Sequence, residues 1–435
     1  MAGLQRFPIR VLSAQFVLIR VIIIPIIKMR NLSDRWNKTD PILKAFLAGV
    51  FLLGINSGIL STAFNNYLND NFRMSAGERG FLEFPREFPG FLIIFVTGLL
   101  AALPVRSWAV ITGVLSAIGV LGLGFLSPSV KVMMGWMLLW SMGGHLFMTV
   151  ESVMGLRLAK DGSHGRRLGQ ISGVTNLAAI AGAGVVWVLA KAVGARVYQT
   201  AFLIAALASF GSAFLFSRVK TAGDDAAPGG KRFVFRARYR YFYILNILFG
   251  ARKQIFLTFA PWVLVTVYGV TPSVMAVLML AAASLGVIFR QAFGIVVDKF
   301  GERKMFIADA FILAAICAGF AFSADKWALY CLFILDNLMF ATRIARTTYL
   351  NKIAEHKSDI APTISLGITM DHLVSMSIPA LGGLLWAAYG YKSVFMAASL
   401  LSIAGLFTAL KVSENAKCGS EPLQEGALTD STRLD

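Results

Sequence analysis

The chain has 435 residues, 57% of them hydrophobic and only 15% charged, so its polar groups are too few to cover a water-soluble surface. A formal net charge of +18 would suit a nucleic-acid partner if the basic residues shared one folded face, but they sit between apolar runs and read as anchors beside a lipid bilayer. The three cysteines, Cys317, Cys331 and Cys418, have no spacing that suggests a disulfide framework, and no ligand spacing along the chain suggests a metal site.

The first segment in chain order is 1–42. Val11 to Ile27 is apolar, but Arg20 and Pro25 interrupt the run and no small-residue cleavage site follows it. Residues 1–28 are therefore read as an upstream extension, in preference to an interfacial helix or a thirteenth span. Apolar stretches of about 20 residues, long enough to cross roughly 30 Å of hydrocarbon as helices, then recur along the chain. They are placed at 43–68, 76–102, 107–127, 132–156, 168–191 and 197–217, then at 241–268, 273–297, 305–323, 327–351, 361–388 and 393–411. These form two six-helix halves, 43–217 and 241–412, joined by a basic linker over 218–240 and followed by a polar tail over 413–435. The fold class expected is an all-α membrane protein of twelve transmembrane helices in two pseudo-symmetric halves.

Helix-start chemistry agrees with these limits: Thr39 and Asp40 precede Pro41, and Ser75 with Glu78 has the spacing of a capping box. Alternate loops collect the basic residues, with Arg157, Lys160, Arg166, Arg167, the linker, Lys299, Arg303, Lys304, Lys352 and Lys357 on one side. The positive-inside rule places that side, and both termini, in the cytoplasm.

A constant shift of 196 residues superposes Gly54 on Gly250, Thr62 on Thr258, Gly90 on Gly286 and Gly98 on Gly294, and later Gly173-Val174-Thr175 falls on Gly367-Ile368-Thr369 after a slip of two. The halves therefore read as a duplication. After the eighth span lies Gly294-Ile295-Val296-Val297-Asp298-Lys299-Phe300-Gly301-Glu302-Arg303-Lys304. This segment resembles the cytoplasmic loop signature of the major facilitator superfamily. The resemblance covers nearly the whole chain from about residue 40, and it implies alternating access between two states. By position it gives Gly294 a role in close helix packing and Asp298 the role of holding a neighbouring helix's positive end in one access state. Gly301 is the second glycine, and Lys299, Arg303 and Lys304 are gate or anchor charges. The first half departs from this pattern, with Ala102 and Val105 where the acid and the second glycine should stand. Antiporter signatures are weak as well: Pro379, Gly382 and Gly383 resemble part of one, but on the eleventh helix.

Ionisable residues in lipid cost about 2.5–3.5 kcal/mol each on insertion scales, so each one marks a cavity or a partner. Glu83, Arg86 and Glu87 share one face of the second helix, where Arg86 can neutralise only part of the carboxylate pair. On the seventh helix Arg252 and Lys253 occupy the positions that Asn56 and Ser57 hold in the first. Asn56 and Arg252 are the leading substrate contacts, with Ser57, Arg86, Lys253 and Arg343 beside them. The competing reading pairs Arg252 with Asp336 or Asp371, and of the two adjacent cations at most one is expected to be centred on the cavity while the other pairs sideways. Glu83, Glu87, Glu151, Asp371 and His372 are the proton-coupling candidates, while His145 is more simply a packed histidine, and Arg157 and Arg290 are expected to snorkel towards the interface.

The function expected is secondary active transport of a small anionic or zwitterionic organic solute, with proton coupling. A lipid or amphiphile translocator is the first alternative, and a non-transporting membrane sensor that kept the fold is the second. No P-loop is present, and no helix pairs a nucleophile with a base, so neither ATP-driven transport nor an enzyme is expected. No cofactor is expected. The partners expected are a small-molecule substrate, protons and the bilayer, with no nucleic acid, for a monomer in the plasma (inner) membrane.

Overall fold

The computed structural model describes residues 39–100, 103–159, 164–219 and 235–412. The upstream segment, Ala102, Lys160, most of the linker and the polar tail lie outside the described residues. Helix α1 is Pro41–Phe72, and α2 comes in two pieces, Ala76–Phe81 and Glu83–Leu99. They are followed by α3 Val105–Phe125, α4 Val130–Arg157, α5 His164–Ala192 and α6 Val197–Ser217. The second half holds α7 Arg240–Thr266, α8 Pro272–Phe300 and α9 Glu302–Phe322. Helix α10 is split into Lys326–Met339 and Arg343–Ile353 by a 3-10 turn over Phe340–Thr342, and α11 Lys357–Tyr389 and α12 Tyr391–Leu410 complete the chain.

The helix starts follow local chemistry. The Asp40 carboxylate accepts the Ile42 N–H at 2.7 Å, with Pro41 in the first turn, where its missing N–H costs nothing. Ser75 and Glu78 close a reciprocal capping box, each side chain accepting the other's backbone N–H, at 3.2 and 2.8 Å. The break in α2 at Leu82 has an equally local cause. Pro85 has no N–H to offer the Phe81 carbonyl, and its ring crowds that position.

Among the described residues, nine helices are long and apolar enough to cross a membrane by length and composition, and α2, α4 and α7 fall short. These three carry Glu83, Arg86 and Glu87, His145, and Arg252 and Lys253. Polar groups lower the hydropathy of the helices that line the interior, where lipid does not reach them.

Helices α1 and α5 approach closely, because side-chain carbon on Gly58 would collide with the Ala179 backbone, and on Gly182 with that of Ile55 and Ile59. The halves meet through α2 with α11 and α5 with α8. At the end of the bundle where α1 gives way to α2, called here the far end, one hydrophobic core draws Trp262 and Ala276 of the second half in with Phe64, Tyr67 and Phe202 of the first. Asn66 donates to the Val270 carbonyl there at 2.7 Å, and Gly80 packs against the Pro379 carbonyl and Gly383. At the opposite end, where the linker attaches, the cores stay separate, one around Trp108 and Phe216 and the other around Phe242 and Tyr349. The protein is closed at its far end.

Candidate functional site

Beneath the far-end closure lies a cavity of about 230 Å³ between the halves. Ser57, Ser61 and Asn65 of α1, Arg79 and Arg86 of α2 and Trp140 of α4 face Phe256 and Pro261 of α7, Met279 of α8, and Phe333, Asp336 and Asn337 of α10. Six helices, three from each half, thus present a mixed aromatic, amide and charged wall.

The charges on that wall are tied into networks. Glu83 is fully buried and accepts from Arg79 at 2.5 Å, from Arg86 at 2.5 and 2.6 Å, and from Gln254 of the other half at 2.9 Å. Arg79 also donates to Asn65 at 3.0 Å, so α1, α2 and α7 share one polar knot. Arg86 reaches Glu87 at 2.9 Å. The arginine side chain keeps 26% exposure, whereas Glu83 keeps 0% and Glu87 10%, which leaves the positive end of the cluster towards the cavity. Glu87 continues across the interface to His372, 3.1 Å away, and faces His145 at 3.6 Å.

A second network runs through the second half. Arg252 is 1% exposed and pairs with Asp336, while Lys253 pairs with Asp371 at 2.5 Å. The two adjacent cations point to different neighbours, as a rotation of about 100° per residue requires. Behind Arg252 lie Asp309 and Arg346, and the Arg346 guanidinium stacks on the Phe249 ring at 3.5 Å.

Of the residues singled out from sequence, Ser57 and Arg86 line the cavity, and Arg252 meets it only through Asp336. Asn56 is buried beside it, with its amide donating to Ser209 at 2.6 Å and accepting from Trp140 at 3.1 Å. Arg343 is exposed, and Glu151 is half-buried. Arg290 bridges α8 to Asn176 of α5 at 2.8 Å, which a snorkelling role did not anticipate. In the loop motif Gly294 has no neighbour within 4 Å of where a Cβ would stand, and Asp298 is exposed with no ion pair among the described residues. Lys299 lies over the Phe300 ring, Gly301 takes φ +81°, and Arg303 donates to the Leu410 carbonyl at 3.0 Å. Sequence reasoning missed Arg79, Asn65 and Gln254. Arg79 stands four residues before Glu83, the same helical spacing that linked Glu83 to Glu87.

The Major Facilitator Superfamily profile matches residues 46–361. The chain belongs to the major facilitator superfamily. As a member of that superfamily it is a secondary transporter that works by alternating access, not an enzyme, and the far-end closure is one of its access states. A search of curated protein sequences finds no match. Among solved structures, the nucleoside transporter NupG superposes with a TM-score of 0.68 at 13% identity, covering 86% of this chain and 98% of that one. A bacterial homologue of the human lysosomal transporter Spinster, inward-facing and unoccupied, gives 0.66 at 14%, covering 85% and 95%. A POT family transporter in complex with a thioalcohol-conjugated peptide gives 0.64 at 12%, covering 85% and 94%. At such identities the likeness is one of fold, and this superfamily member's substrate has to be argued from its own cavity.

Proposed function

We propose that this transporter carries a small anionic or zwitterionic organic solute in the cavity between α1, α2, α4 and α7, α8, α10. The observation that carries the reading is the asymmetry at Arg86, whose side chain is the most exposed of its cluster while its carboxylate partners are withdrawn. A guanidinium held from behind by Glu83 and Glu87 keeps its orientation and can still offer a fork to a carboxylate or phosphate. Asp336 and Asn337 on the opposite wall suit a positively charged or hydrogen-bonding group, and Phe64, Trp140 and Phe333 suit an apolar body.

Proton coupling is proposed to run through Asp371. Among the coupling candidates it is a partly exposed carboxylate, 28% accessible, whose ion pair is with one lysine, Lys253. That pair can open when the carboxylate is protonated. The protein is proposed to act as a monomer in the plasma (inner) membrane, with the linker end and both termini in the cytoplasm, in keeping with the basic residues at that end.

Uptake into proteoliposomes, with and without a pH gradient, using a panel of organic anions, zwitterions and cations, tests both proposals. Transport of an anion or zwitterion that is abolished in Arg86→Gln supports the solute assignment, and movement of cations alone overturns it. Loss of the pH-gradient dependence in Asp371→Asn supports the coupling assignment, and an unchanged dependence overturns it.

A further inference from the structure

We infer that Glu87, His145 and His372 form a binding site for a first-row divalent transition-metal ion such as Zn²⁺ or Co²⁺, with ligands drawn from α2, α4 and α11. Their ligand atoms all lie within 4.8 Å of one another. A tetrahedral ion with bonds of about 2.0–2.1 Å sets its ligand atoms about 3.3–3.4 Å apart. Glu87 Oε2 stands 3.6 Å from His145 Nε2 and 3.1 Å from His372 Nδ1, on either side of that spacing. The two rings meet edge to face with centroids 4.9 Å apart. Gly90, one turn along α2 from Glu87, makes room for them, since a Cβ there would collide with both imidazoles.

The hydrogen bonds around His145 fix its tautomer. Ser141 donates its hydroxyl proton to the Arg86 carbonyl, so its Oγ can only accept. His145 Nδ1 lies 3.1 Å from that Oγ and 2.9 Å from the Ser141 carbonyl, two acceptors, and must therefore carry hydrogen. A neutral His145 then turns its bare Nε2 towards Glu87 Oε2, which His372 Nδ1 approaches at 3.1 Å from the other side, and the lone pair of Nε2 facing the remaining lone pair of Oε2 favours a cation between them. A metal-binding histidine typically donates its second ring nitrogen to a backbone carbonyl in this way. The other oxygen of Glu87, Oε1, is held by Arg86 at 2.9 Å, so Oε2 alone is directed at the histidines. Two imidazoles and one carboxylate, with a fourth position left for water, suit Zn²⁺ or Co²⁺ better than Mg²⁺ or Ca²⁺. The side chains keep 13%, 10% and 11% exposure for His145, Glu87 and His372, so the site is not sealed from entry.

The site joins the two halves, because α2 and α4 belong to one and α11 to the other. An ion bound there holds them in the far-end-closed relation.

The chain has four histidines, and changing His164 and His356 to Gln leaves His145 and His372 as the only imidazoles. That variant of the full-length, untagged protein in detergent is titrated with Co²⁺ and then with Zn²⁺. We expect one Co²⁺ per chain with the visible absorption of a low-coordinate site, displaced by Zn²⁺, and a rise in Tm on Zn²⁺ addition. X-ray absorption of the Zn²⁺ complex is expected to count two imidazole ligands. Adding Glu87→Gln, or separately His372→Gln, is expected to weaken binding at least tenfold. If the starting variant binds no stoichiometric ion, the cation between His145 and Glu87 is a proton and the proposal fails. Fewer than two imidazoles at the Zn²⁺ also overturns it, and that count does not depend on any substituted ligand folding correctly. Binding that persists undiminished after both His145 and His372 are changed overturns it too.

Discussion

Gln254 of α7 donates to Glu83 of α2 at 2.9 Å, a hydrogen bond from one half of the transporter to a carboxylate that two arginines of the other half already hold. The two sides of this bond differ in what their loss would cost. Glu83→Gln leaves the buried Arg79 without its carboxylate and Arg86 with Glu87 alone, a loss of about 3–5 kcal/mol. Gln254→Ala removes one bond to a charge, a loss of about 1–2 kcal/mol, since Glu83 keeps both arginines. Thermal unfolding in detergent should rank the two variants in that order, and equal losses would show that the arginines do not depend on Glu83.

The Arg252 and Asp336 pair should behave as a unit. Arg252→Met or Asp336→Leu alone strands a buried charge and should lower stability by about 3–5 kcal/mol, whereas the double variant should recover most of that loss. A double-mutant cycle on Tm reads the coupling. Uptake by the stable double variant then tests whether Asp336 also touches solute from its place on the cavity wall.

Far-end closure brings Gly80 against the Pro379 carbonyl and Gly383. Gly80→Val puts branched carbon into backbone that cannot yield, so the far end should stay open. In a background free of the three native cysteines, Ser61→Cys lines the cavity, and its labelling rate from the far side should rise at least tenfold while uptake falls. An unchanged labelling rate would mean that other contacts hold the closure.

Asp298 is exposed and unpaired among the described residues in this state, and Gly294 has open space beside it. Asp298→Asn should therefore leave the stability within about 0.5 kcal/mol of the parent, as for other exposed positions, with the Tm nearly unchanged. Uptake should fall several-fold if the aspartate acts in the opposite access state. A large Tm loss would place its partner in the state described.

At the linker end, Arg236 meets Glu355 at 2.7 Å and Asp359 at 2.8 Å, and Tyr239 donates to Asp359 at 2.9 Å and accepts the Glu355 N–H at 3.1 Å. Burial, helped by the neighbouring Asp359 carboxylate and opposed by the Glu355 N–H, raises the Tyr239 hydroxyl above its ordinary pKa. The unfolded chain thus loses this proton before the folded one does. The group's contribution is complete below about pH 10 and is lost as the pH rises past that value towards the higher folded one. Tyr239→Phe should cost about 1 kcal/mol at neutral pH and make Tm less sensitive to pH above 10. An unaltered alkaline slope would contradict the assignment.

The scaffold was legible because its determinants are local. Hydropathy over a window sets the spans, Ser75 and Glu78 announce a cap three residues apart, and a fixed shift pairs Gly54 with Gly250. The partners of the buried charges were less legible. Helical spacing links residues three or four apart, which sufficed for Glu83 with Arg86 and would have sufficed for Arg79. Arg252 with Asp336 was visible only as one of two alternatives, and the partner of Lys253 was not visible at all, because partners 84 and 118 residues apart are chosen by packing. The meeting of Glu87 with His372, 285 residues distant, left no trace in spacing, and the same distance hid any metal-ligand pattern.

Gly54 and Gly250 are one position written twice, and each copy uses the missing side chain differently. In α1 the gap admits the methyl group of Ala178, and in α7 it admits the carboxylate of Asp371. Matching backbone hollows thus take a methyl group in one half and the carboxylate of the Lys253 and Asp371 pair in the other. At this position the halves differ in chemistry and share their architecture.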